Sequence, residues 1–85
     1  MIRVHRVTEL ADGSLEIMIH GGLVEAEYVS GTLRMSKGVE VLEPALGKGA
    51  PEFVYVIARG TAANPFTRDS ALRSLRGDER IEVIE

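Results

Sequence analysis

The sequence predicts an α+β domain: a small antiparallel β-meander, then a β-α-β unit, with one helix packed on one face of a mixed sheet of five to six strands. Three observations predict it. Residues 1–43 alternate apolar and polar positions between turn dipeptides, the period of half-buried strands. Residues 44–52 crowd prolines and glycines into one stretch that neither helix nor central strand tolerates. Residues 53–85 read as an apolar strand, a capped helix and a closing strand. The chain 1–85 is thus one domain, with the 44–52 loop joining the meander (1–43) to the strand–helix–strand part (53–85).

The first element is a β-hairpin around Asp12-Gly13, a dipeptide that accepts the backbone angles of a tight turn. If Leu10 faces Leu15, then Ile2, Val4, Leu10, Leu15, Ile17, Ile19 and Leu23 share one face. Arg3, His5, Val7, Glu9, Glu16, Met18 and His20 share the other. This register leaves two misfits: Arg6 falls on the apolar face, and Glu9 opposes Glu16. Gly21-Gly22 is a hinge or bulge. Leu23 to Val29 alternates again, so 23–36 reads as a hairpin around Ser30-Gly31 or as one long strand bulged at Gly31. A helix there is short and has no capping residue beyond glycine. After Lys37-Gly38, Val39 to Glu43 is a short strand.

Phe53 to Ala58 is nearly continuous in apolar character, which predicts a central strand buried on both faces. Thr67 is placed to cap a helix, with Phe66 before it able to staple against Ala71. Ala71, Leu72 and Leu75 share one helical face, and Gly77 closes the helix. Arg80 to Glu85 is the final strand.

Composition removes several function classes. A chain of 85 residues and 9.3 kDa holds one hydrophobic core. Its 45% apolar content and net charge of -3 argue against disorder. With no cysteine there is no disulfide framework, thiol nucleophile or thiolate-held metal. No apolar run approaches a membrane span, and charges interrupt the segment Met1 to Arg6, so neither a span nor a signal peptide is expected and the expected location is cytoplasmic.

Two candidate sites emerge. The first is the loop from the end of the apolar strand into the helix N-terminus. There Arg59, Thr61, Asn64, Thr67 and Arg68 could bind an anion such as a nucleotide or phosphometabolite. Gly47-Lys48-Gly49 is no phosphate loop, because no Ser or Thr follows the lysine. The second is the half-polar hairpin face, where His5 and His20 face one another beside Val7 and Met18; this reads as an interface. Two histidines on an open ladder are too few ligands for a metal, and neither metal nor cofactor is expected.

Five of the ten basic residues fall between Arg59 and Arg80, yet the net charge and the four aromatics, all plausible in a core, disfavour nucleic acid. No nucleophile, base and orienting group come together: Ser14 and Asp12 sit in the first turn, and Ser70 and Ser74 lie on the helix. One helix covers only one sheet face, so a homo-oligomer, most simply a dimer, or a protein partner should cover the other. The sequence therefore points to a non-enzymatic interaction module that binds or inhibits a protein or assembles with itself. The anion binder is the alternative, and a small oligomeric enzyme with an interface site stands behind both.

Overall fold

A three-residue turn decides which side chains enter the core. In the computed structural model, which describes residues 1–47 and 49–85, the Leu10 N–H donates to Ser14 O at 2.8 Å and the Gly13 N–H to Leu10 O at 3.0 Å. Gly13 has φ +87°, the left-handed angle that a type I turn followed by a bulge requires. The loop, residues 11–13, is one residue longer than the two-residue Asp12-Gly13 turn of a Leu10–Leu15 register. Pairing therefore runs Glu9–Leu15, Thr8–Glu16, Val7–Ile17 and Arg6–Met18.

A one-residue slip exchanges the faces of a strand. Val7 enters the core at 2% exposure, Arg6 turns outward, and Glu9 parts from Glu16. A β-bulge at His5 then shifts the register and returns Val4 to the core opposite Ile19. Both misfits of the sequence register disappear, and Val7 leaves the set of interface candidates.

The hairpin strands are β1 (Ile2–Glu9) and β2 (Leu15–His20). Then comes a helix, α1 (Leu23–Arg34), where a strand or hairpin was expected. Ala26, Val29, Ser30 and Leu33 are buried, the i, i+3, i+4, i+7 spacing of a helix face. The alternation that suggested a strand is a coincidence of Val24 and Tyr28 with the flanking glutamates. Leu23 and Val24 stay 56% and 79% exposed. The cap is supplied from inside the helix: the Glu25 carboxylate accepts the Gly22 N–H at 2.8 Å. That contact also holds Glu25 below its ordinary carboxylate range.

Two short strands follow, β3 (Glu40–Val41) and β4 (Ala45–Leu46). β4 lies inside the stretch expected to be loop only; Lys48, in the same stretch, is outside the described residues. β5 (Phe53–Arg59), α2 (Arg68–Arg76) and β6 (Ile81–Val83) complete the chain. α2 matches its sequence signals: Thr67 Oγ1 accepts the Ser70 N–H at 3.1 Å, and Ala71, Leu72 and Leu75 are buried. Gly77 ends the helix with φ −76°, so its role there needs no left-handed backbone.

The six strands form one mixed sheet in the order β3-β5-β2-β1-β6, with β4 beside β3 on the outer edge of β5. β1 and β6 run parallel, and the other pairs are antiparallel. The fold is α+β, as expected, with a second helix. α2 packs on the β1–β6 half of the sheet and α1 on the β2–β5 half, and the helices touch each other. Between helices and sheet lies the core: Val4, Val7, Leu15, Ile17, Ile19, Val54, Val56 and Ala58 from the strands meet Leu33, Val29, Leu72 and Leu75.

Side chains finish what short strands leave open. Past β6, Glu85 accepts the Val7 N–H at 2.8 Å, and Arg68 donates from Nε to Val7 O at 2.8 Å while pairing with Glu85. At the other end of α2, Asp78 accepts from the Tyr28 and Thr32 hydroxyls of α1 and from the Arg80 N–H, tying both helices to the start of β6. Among the described residues no helix is long and apolar enough to cross a membrane.

Candidate functional site

The loop 60–68 is built by local bonds. The Thr61 N–H donates to Asn64 O, and the Thr61 hydroxyl accepts the Asn64 N–H at 3.0 Å. Thr67 caps α2. The loop borders an open cleft of about 360 Å³ that Glu9, Asp12, Arg59, Thr61 and Thr67 help to line. Its electrostatics do not suit an anion. Arg59 pairs with Glu40 at 2.7 Å, and Arg68 is bound to Val7 O and Glu85. Two carboxylates, Glu9 and Asp12, stand in the cleft wall. The Ser14 hydroxyl and backbone N–H bond Asp12 and hold its carboxyl below the usual range, so it stays ionised. An anion here would have to displace a carboxylate from each arginine. The structure brings Arg59, Thr61 and Thr67 together at the cleft and sends Arg68 to the sheet edge.

The second candidate lies on the sheet face turned away from both helices. Three strands furnish it. β1 contributes Arg3, His5 and Arg6, because the bulge puts His5 and Arg6 on the same side. β2 contributes Glu16, Met18 and His20, which alternate with the buried Leu15, Ile17 and Ile19. β5 contributes Phe53, Tyr55 and Ile57, which alternate with the buried Val54, Val56 and Ala58. The expected burial of β5 on both faces is thus half realised: it is central in the sheet and covered on one side.

His5, His20 and Phe53 form a packed aromatic cluster. The ring centroids of His5 and His20 are 6.0 Å apart. Phe53 meets His5 edge-on at 4.9 Å and His20 at 5.7 Å. His5 leans across β2 to reach it, and its Nε2 is shut off from solvent with no hydrogen-bond partner among the described residues. The two histidines meet as the sequence suggested, though by way of a bulge and not by direct cross-strand pairing. Among the described residues no group of three His, Cys, Asp or Glu side chains is placed to hold a metal. Sequence reasoning missed Phe53, Tyr55 and Ile57 as members of this surface. The signal was present as an apolar run too continuous for a strand with one wet face.

Comparison of the chain with family models, with curated proteins and with solved structures yields no match.

Proposed function

We propose that the protein is a non-enzymatic interaction module whose working surface is the sheet face opposite the helices. One observation carries this reading. β5 is apolar from Phe53 to Ala58, yet the fold covers only Val54, Val56 and Ala58. Phe53, Tyr55 and Ile57 stand half-buried beside Met18 on the uncovered side. A strand with one face in water normally alternates polar with apolar residues. A contiguous apolar patch on such a face is characteristic of a surface that is covered in the working state. Several hydroxyls that a hydrolytic site could draw on are engaged locally. Ser14 bonds Asp12, Thr67 caps α2, and Ser36 bonds Ser74.

The test compares a Tyr55→Ser/Ile57→Ser double variant with a Leu23→Ser/Val24→Ser control on the exposed start of α1. Each serves as bait in an extract of the native host, after circular dichroism has shown that it is folded. The face variant should lose the proteins that wild type retains, and the control should keep them. Equal capture by the face variant and wild type refutes the reading.

A further inference from the structure

The open face carries a pattern that is antisymmetric about β2. Arg6, Met18 and Tyr55 lie in one row across β1, β2 and β5. His20 and Phe53 form the next row, and Arg3, one residue beyond the Val4–Ile19 pair, lies level with them. An arginine column therefore flanks β2 on one side and an aromatic column on the other. We propose that this face binds a second copy of the chain about a two-fold axis along β2, so that Arg3 and Arg6 of each copy lie over Phe53 and Tyr55 of the other. The proposal rests on the reading of this face as the working surface and names its occupant.

Charge selects the axis. Rotation about β2 exchanges the two columns and sets guanidinium over aromatic ring, an attractive contact. Rotation about a line across the strands would set Arg6 on Arg6 and Tyr55 on Tyr55, which repels at one contact and gains little at the other. Face-packed sheets keep their strands within about 30° of each other, which an axis along β2 satisfies.

The area fits a modest contact. Five strand positions about 4.8 Å apart and six residues of about 3.3 Å each give on the order of 500 Å² in projection per copy. Two such faces bury about 1,000 Å², the lower bound for a specific interface. Glu16 and Glu82 share the face, and the chain carries a net charge of -3, which sets it against a polyanion. Glu16 sits on the axis strand, so the two copies bring this carboxylate to the same end of the contact and weaken it.

Sedimentation equilibrium of the full chain, from about 1 µM to about 1 mM, tests this, since a contact of this size is populated within that range. A reversible dimer of the 9.3 kDa chain is expected. Arg6→Glu and Tyr55→Arg should each raise the dissociation constant roughly tenfold or more, because symmetry makes every substitution act twice. The exchange Arg6→Tyr/Tyr55→Arg should restore association, since it swaps the columns and preserves their pairing. Glu16→Gln should tighten it. Arg6 is exposed, so its variant reads the contact even if Tyr55→Arg disturbs the fold. A monomer at the highest concentration overturns the proposal. So does a dimer indifferent to Arg6→Glu, an exchange variant that fails to re-associate while folded, or binding of a poly-dT oligonucleotide that Arg6→Glu abolishes. A monomer whose Tyr55→Ser/Ile57→Ser variant still loses captured proteins refutes the second copy alone and leaves the working surface in place.

Discussion

Replacing Gly31 by alanine separates the helical structure of residues 23–34 from the strand that their sequence suggests. Gly31 lies inside α1, is exposed, has a negative φ, and has no atom within 4 Å of where a Cβ would stand. In an exposed helix interior Gly is worse than Ala by about 0.8–1 kcal/mol, because it loses more backbone freedom on folding. No steric cost offsets the gain here, so Gly31→Ala should stabilise the protein by about 0.8–1 kcal/mol. For a chain of this size that is a rise of roughly 4–8 °C in Tm per kcal/mol. In urea, with a slope of about 1 kcal/mol/M, the midpoint should move up by roughly 0.8–1 M with the slope unchanged. A Ser30-Gly31 hairpin turn would need a positive φ at Gly31, and alanine there would cost about 1–2 kcal/mol. The two structures therefore predict opposite signs. Denaturation followed by circular dichroism at one fixed protein concentration, so that any association contributes equally, gives the answer. A fall in the midpoint refutes the helix; an unchanged one refutes the open space around Gly31.

Three further perturbations test the packing around that helix and the sheet edge. Ser30 is fully buried and its hydroxyl has no partner among the described residues, so Ser30→Ala should stabilise by about 1 kcal/mol in urea denaturation; a loss of stability means that the hydroxyl is satisfied. Arg68→Ala removes a charge-assisted bond to Val7 O and the partner of Glu85, and should cost about 1 kcal/mol in a thermal melt. Arg68→Lys should recover only part of it, and an unchanged Arg68→Ala would leave this arginine free for an anion at the 60–68 loop. The Arg80 N–H, followed by the Tyr28 and Thr32 hydroxyls, holds the Asp78 carboxyl below its ordinary value against an opposing effect of burial. A lowered folded value contributes stability above the unfolded value and loses it as pH falls through the folded one. The stability gap between wild type and Asp78→Asn should thus be wide at about pH 7 and narrow towards about pH 3; a gap independent of pH sinks this account of Asp78.

The parts of the fold that were legible are those where local chemistry and tertiary packing agree. Thr67, the Ala71–Leu72–Leu75 face and the Asp12-Gly13 turn each state a local preference that the fold obeys. Residues 23–34 were misread because their composition supports two periods at once. Val24, Ala26 and Tyr28 alternate with glutamates, while Ala26, Val29 and Leu33 recur at helical spacing. Packing chose the second, since α1 must cover the β2–β5 half of the sheet. Glu25 supplied a clue that a search for Ser, Thr, Asp or Asn at the cap passes over: the reaching half of a capping box, three residues after a glycine.

The candidate surface was less legible because its membership depends on a loop one residue longer than the two-residue turn that Asp12-Gly13 implies. That residue places Val7 in the core and Arg6 outside, and the bulge at His5 then lets a histidine and an arginine share the outer side. Arg6 on an apolar face and Glu9 against Glu16 were both symptoms of the wrong register, and one slip cures both. The same slip turns a loose group of candidates into an ordered pattern. With Val7 withdrawn and Arg6 delivered, β1 offers arginines where β5 offers aromatics, at equal distance from β2. Arg6 is exposed and Tyr55 half-buried, on strands separated by β2. Two copies turned about β2 set the Arg6 of each over the Tyr55 of the other, so the one pairing is made twice.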